Sequence, residues 1–281
     1  MAGKCCLSIA GSDSGGNAGV QADIRAFHAY GMHACTVITS LTAQNPFGVS
    51  AIHAVPADFV DAQLDAVFGA YDVAALKTGM LNSASVAETV ARRMASLGDG
   101  VWKVVDPVMV ATSGASLVDG DAMAAIREML LPAADVMTPN LPEAEALCGG
   151  SADDAGRRAG AGRAKELAKK LYDAYGCAVV VKGGHGAGST AVDVLYDGEE
   201  MREFAMPWIR EPVSTHGTGC TFAAALACEL ALGAALPDAV DGAKRHVHAA
   251  ISAAYEVGPR CGVLGFAPGS RQNLPPRRDG I

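Results

Sequence analysis

The sequence predicts an α/β protein in three layers: a mostly parallel central sheet, helices on both of its faces, and a small antiparallel edge. Short, near-continuous apolar runs alternate with longer stretches whose apolar residues return at helical spacing, the pattern of a parallel sheet buried on both faces. The chain has 281 residues, half of them hydrophobic, enough to bury a core of that size without staples. Right-handed crossovers between parallel strands then distribute the helices over both faces.

The elements follow in order. Residues 5–10, 34–39, 73–77, 101–105, 134–138 and 178–182 read as buried strands. Between them Val20, Ile24 and Phe27 recur at helical spacing, as do Val60, Leu64 and Val67, and then Val86, Val90 and Met94. Residues 157–175 read as a long helix stopped by Gly176. Residues 191–196 and 201–205 flank Asp197-Gly198, a hairpin turn, and supply the antiparallel edge. Two long helices follow at 218–232 and 237–256. The Gly-, Ala- and Asp-rich residues 149–162 read as a mobile surface segment, and residues 268–281 as a disordered tail. No repeat or linker divides residues 1–267, so a single domain is expected.

Lys and Arg number 22 against 30 Asp and Glu, a formal charge of −8. That balance argues against nucleic acid or a membrane surface as partner, yet leaves room for a phosphate held by a few local donors. No stretch approaches the roughly 18 apolar residues of a spanning helix, and the first residues lack a signal-peptide layout. The eight cysteines show no C-x-x-C spacing, which predicts reduced thiols in the cytoplasm and no zinc or iron–sulfur site.

In open parallel sheets ligands sit beyond the carboxyl ends of the strands, so the loops there are the places to search. The first, Gly11-Ser12-Asp13-Ser14-Gly15-Gly16-Asn17-Ala18-Gly19, allows close backbone approach to a ligand, or is simply a glycine turn. Neither G-x-G-x-x-G nor G-x-x-x-x-G-K-[ST] occurs in the chain, which counts against a dinucleotide fold and a P-loop. The second, His216-Gly217-Thr218-Gly219-Cys220-Thr221, opens a helix whose free N–H groups make an anion site. The same field would favour the Cys220 thiolate, the alternative being a buried structural cysteine. In the third, Asn140 and Glu143 lie three apart at a helix start. Glu143 either orients a hydrated Mg2+ or closes a capping box with Asn140. Asp106 and Lys182 end two further strands and can serve metal and phosphate charge. An anion hole, a carboxylate pair and a lysine at one sheet edge are what phosphoryl transfer requires. Gln44 offers one donor and one acceptor, a match for an amino group beside a ring nitrogen, and Met80 and Val108 offer apolar faces to a flat ring. The Gly-rich residues 113–116 and 185–189 are candidate mobile covers.

The combined motifs resemble the hydroxymethylpyrimidine/phosphomethylpyrimidine kinases of thiamine biosynthesis, in the ribokinase-like superfamily. They are residues 11–16, Gln21-Ala22-Asp23, Thr42-Ala43-Gln44-Asn45, Lys77-Thr78-Gly79-Met80-Leu81, Asp106-Pro107-Val108-Met109, residues 138–143, Lys182-Gly183-Gly184-His185 and residues 216–221. The resemblance runs from about residue 4 to 254. It implies a homodimeric ribokinase-like fold that uses ATP and Mg2+ to phosphorylate a small pyrimidine and then its monophosphate. It also implies the site. Gln44 would pair with the aminopyrimidine, and Gly11, Asp23, Met80 and Val108 would complete the pocket. Gly217, Gly219 and Cys220 would form the anion hole, with Cys220 as base or charge stabiliser. Asp106 and Glu143 would serve the metal and phosphates, Lys182 the phosphate charge, and Asn140 and Thr218 the nucleotide. Asn17 departs from the family's commoner Gly-Gly-Gly-Ala-Gly run. A pyridoxal kinase of the same family is the rival reading, since its substrate is also a flat ring bearing a hydroxymethyl group.

Overall fold

The structure is a computed structural model that describes residues 4–109, 120–150, 160–183 and 189–266. The candidate covers at 113–116 and 185–188, most of the 149–162 segment and the tail at 268–281 lie outside the described residues.

Nine strands form one sheet, in the order β3-β2-β1-β4-β5-β6-β7-β8-β9. They are β1 (Cys5–Asp13), β2 (His33–Asn45), β3 (Gly48–Ala54), β4 (Val73–Thr78), β5 (Trp102–Val105), β6 (Val136–Met137), β7 (Ala178–Val181), β8 (Thr190–Tyr196) and β9 (Met201–Pro207). The central pairs, from β2 through β7, are parallel. The expected antiparallel edge forms from β7, β8 and β9, turning at Gly198 with φ +98°. A second one was not expected: β2 runs six residues past Thr39 and pairs antiparallel with β3 at the opposite edge. A further hairpin, β10 (Tyr255–Gly258) and β11 (Cys261–Val263), stands apart from the sheet.

Helices cover both faces, as the alternation demands. Within β1, Cys5, Leu7 and Ile9 point into one apolar cluster and Cys6 into the other. The first cluster is completed by α2 (Ala57–Phe68), α3 (Ala84–Ala95), α5 (Leu141–Leu147) and α6 (Ala161–Tyr175). α4 (Gly120–Ala125) continues into a π-turn and a 3₁₀ turn that pack on the same side. The second is built on α1 (Gly19–Ala29), α7 (Thr218–Ala231) and α8 (Leu236–Ser252). The last helix stops at Ser252, four residues short of its expected end at 256, and β10 begins at Tyr255.

After β2 and β3 lie on one side of β1, the chain crosses to β4 on the other. The crevice beyond the ends of β1 and β4 is thus a topological switch point, where ligands of such sheets bind.

Candidate active site

The first loop is gathered by one carboxylate. Asp13, the last residue of β1, accepts the N–H groups of Gly15 (2.8 Å), Asn17 (3.0 Å) and Ala18 (2.8 Å). His216 Nε2 lies 3.6 Å from the same carboxylate. Burial pushes the Asp13 carboxyl up, but these hydrogen bonds outweigh it and hold the group below its ordinary range. The end of β2 is stitched to this loop, because Ser14 Oγ donates to the Gln44 carbonyl and accepts from the Gln44 N–H, both at 2.8 Å. The Gln44 side chain meets Thr42 Oγ1 at 3.1 Å and His216 Nε2 at 3.4 Å. Gly11 faces Met80, since a Cβ at Gly11 would lie 3.3 Å from the Met80 sulfur. Gln44 on β2, Gly11 on β1 and Met80 just beyond β4 therefore border the switch-point crevice. Val108, half-buried, stands two residues beyond Asp106 at the end of β5. Asp23 lies deeper, fully buried on α1 and bound by Lys77 and Ser8.

A second group of charges sits at the ends of β5, β6 and β7. Lys182 Nζ reaches Asp106 Oδ1 at 2.7 Å, and Thr138 Oγ1 donates to the same oxygen at 3.1 Å. Burial opposes the Lys182 charge, but Asp106 and Glu143 beside it outweigh that cost and raise its pKa. Asn140 bridges to Lys182 across the strand ends. Asn140 and Glu143 do form a capping box: the Glu143 N–H donates to Asn140 Oδ1 at 2.9 Å and the Asn140 N–H to Glu143 Oε2 at 2.7 Å. Burial, only partly offset by Lys182, raises the Glu143 carboxyl to about 7. The capping role and a place beside Asp106 and Lys182 are thus compatible in one side chain.

The start of α7 lies between the two groups. No side chain caps this 14-residue helix, and Gly217 at its N-cap has φ +85°. A Cβ at Gly217 would collide with the Asn17 carbonyl, so only glycine allows the two loops to meet. A Cβ at Gly219 would lie 3.4 Å from Lys182 Nζ and 3.7 Å from Asp106 Oδ2. Thr218 Oγ1 is turned back to the Thr215 carbonyl at 3.0 Å. Cys220 corrects one expectation. The helix start was expected to favour its thiolate, but burial pushes the thiol up, against the pull of Lys77.

Two residues escaped the sequence reading. His216 entered only as part of a motif, yet it joins Asp13 to Gln44; its neighbours in sequence give no sign of either contact. Lys77, a lysine inside an apolar strand, is a visible signal in the sequence, and its motif alone does not assign it a role. Asn17 is buried, and its Oδ1 has no hydrogen-bond partner among the described residues.

The same architecture occurs in a solved pyridoxal kinase of Bacillus subtilis in complex with ADP. It is 34% identical, has a TM-score of 0.84, and the match covers 98% of this chain and 100% of that one. Fold and site together define a kinase of the ribokinase-like class. The sequence profile described as phosphomethylpyrimidine kinase matches residues 13–265, and the chain belongs to that family. The hydroxymethylpyrimidine/phosphomethylpyrimidine kinase of Rhizobium meliloti is 47% identical over 251 residues, 88% of this chain and 90% of that protein. The thiamine biosynthesis bifunctional protein ThiED of Geobacter sulfurreducens is 44% identical over 252 residues, 90% of this chain. The chain spans about half the length of that bifunctional relative, 50%.

Proposed function

We propose that this kinase transfers the γ-phosphoryl group of ATP to the hydroxymethyl oxygen of 4-amino-5-hydroxymethyl-2-methylpyrimidine, and a second onto the monophosphate. The product is the pyrimidine diphosphate precursor of thiamine. One observation carries the mechanism: Gly219 brings the uncapped start of α7 within contact distance of both Lys182 and Asp106. N–H dipoles and an ammonium converge where negative charge spreads during in-line transfer. Gln44 orients the aminopyrimidine, and Gly11, Met80 and Val108 hold its ring. Gly217 and Gly219 admit the phosphoryl group to the backbone amides, and Lys182 neutralises it. Cys220 places a thiol beside the accepting oxygen. Asn140 and Thr218 serve the nucleotide.

The donor set also fits a magnesium ion. Asp106 and Glu143 are buried carboxylates close enough to perturb one another, and Mg2+ takes one or two carboxylates beside phosphate oxygens. Among the described residues no group of three or more His, Cys, Asp or Glu side chains is arranged to hold a metal ion by itself. When bound, the ion would supply charge neutralisation on the phosphates; Asp106 and Glu143 would hold it.

The active unit we propose is a single domain over residues 1–267, in a homodimer, with no nucleic-acid or membrane partner. The projecting β2–β3 hairpin exposes Leu41, Phe47 and Ile52 along an open sheet edge, which supports self-association. No helix among the described residues is long and apolar enough to cross a membrane. All eight cysteines are free thiols, in keeping with the reducing cytoplasm we assign.

The pyridoxal kinase neighbour favours a second reading, phosphorylation of pyridoxal at the same site. ADP release measured with the pyrimidine alcohol, its monophosphate and pyridoxal separates the two. The highest kcat/KM is expected with the pyrimidines. A higher value with pyridoxal moves the assignment to the second reading, and no release with any acceptor ends both.

A further inference from the structure

Beneath the crevice lies an ion pair that none of the proposed steps uses. Lys77, the penultimate residue of β4, and Asp23 on α1 have fully buried side chains, both at 0% exposure. The ammonium meets both carboxylate oxygens, Oδ1 at 3.1 Å and Oδ2 at 3.0 Å, and Ser8 Oγ donates to Oδ2 at 2.5 Å. Burial alone would suppress the lysine charge, but Asp23 outweighs it and keeps the ammonium protonated. Well-packed apolar residues of similar volume often serve stability as well as a buried ion pair, so stability alone does not account for this one.

The surroundings suggest one. A Cβ at Gly79 would lie 2.9 Å from Lys77 Nζ, so the Gly79 backbone rests directly on the ammonium. The Gly79 N–H is tied to the Ile9 carbonyl at 2.9 Å, and the next carbonyl, of Met80, accepts Thr39 Oγ1 at 2.7 Å. Lys77 is also within electrostatic reach of Cys220 on the far side. The ammonium therefore lies directly beneath the turn that carries Met80.

We propose that Lys77 is a positioning residue for the ring substrate. Held by Asp23, which Ser8 braces in turn, its ammonium supports the Gly79–Met80 turn from below and fixes the Met80 wall of the pocket. This deepens the kinase reading and rests on it, since that reading makes Met80 a wall of the ring pocket.

Lys77→Met, Gly79→Ala and the double variant test the idea, with KM for the pyrimidine alcohol and for ATP measured separately. Each single change is expected to raise the ring KM about tenfold through misplacement of the pocket wall, and to leave the ATP KM within about twofold. In the double variant the ring KM should rise by clearly less than the product of the single effects, because one spatial relation is lost once. A ring KM at the wild-type value in Lys77→Met, or equal rises in both KM values, overturns the proposal, as does a strictly multiplicative double variant. Should Lys77→Met fail to fold, Gly79→Ala, whose Cβ would push the ammonium aside without removing its charge, decides alone: a ring-selective rise supports the proposal, and a wild-type ring KM ends it. Calorimetric binding of the pyrimidine alcohol without nucleotide reads the same shift, so a wrong assignment of the transfer chemistry is distinguishable from a wrong role for Lys77.

Discussion

Cys220 stands half-buried in the first turn of α7 with its thiol pushed up by burial. A protonated thiol is a weak base at neutral pH, so its contribution is that of a placed S–H group rather than a thiolate. Cys220→Ala is expected to lower kcat by about 100-fold or more, the range for losing one acid–base or anion-hole group. Steady-state turnover at saturating ATP checks this, and wild-type kcat would remove the thiol from the chemistry. A second residue sets an acid limit on stability. His246 is buried between Tyr30 and Phe266, ring centroids 5.1 and 5.8 Å away, and burial pulls its pKa down to about 4. The unfolded residue titrates near its ordinary 6.5. Between those values the unfolded chain binds the extra proton, so this contribution is complete above about pH 6.5 and is lost as pH falls toward about 4. The loss amounts to about 3 kcal/mol across that window. Urea melts of His246→Phe should lack this portion of the slope; parallel curves for variant and wild type would show that the ring is not held neutral. At this scale the sequence was informative where chemistry is local. Asp106, Lys182 and the Asn140–Glu143 cap could be read from their places at strand and helix ends. Asp13 could not, because the N–H groups it gathers are brought round only by a glycine turn.

The elements show where pattern reading fails. The core strands were legible because both their faces are apolar. β3 escaped because most of its side chains are exposed, so the hydrophobic alternation that marks a strand is missing. The extension of β2 through Gln44 escaped with it, since a polar run has no strand signal without its partner. That extension matters to the site, as it carries Gln44 toward His216. β10 was missed because its first two residues, 255 and 256, fall within the helix expected at 237–256; Gly262 in β11 lets the hairpin press on the Val213 carbonyl, just before the α7 loop. The contact between the β1–α1 loop and the α7 N-cap is equally invisible in sequence, although each glycine-rich loop was recognised alone. Gly217→Ala should force these two loops apart. We expect helix content by circular dichroism to be unchanged and kcat/KM to fall about 100-fold, as for a small misplacement of a reacting group. Unchanged kinetics would show that the close approach is not needed.

Across the described residues the sheet ends in two edge strands, β3 and β9, and β3 is the one that carries the exposed Ile52. Self-association through that edge predicts that Ile52→Lys, a charge on an exposed edge strand, yields a monomer in sedimentation equilibrium while wild type sediments as a dimer. A dimeric variant would place the interface elsewhere. The layered architecture itself was legible from alternation alone, whereas which loops touch across the sheet edge depended on strand order, and strand order is not written in any local pattern.

Asp13 holds three backbone amides of its loop in place while His216, from the distant α7 loop, leans on the same carboxylate. The entropy of arranging these segments is spent when the chain folds, before any acceptor arrives. Preorganisation of this kind lowers the ordering cost that binding would otherwise carry, and for the proposed function it predicts that rings of altered shape bind more weakly.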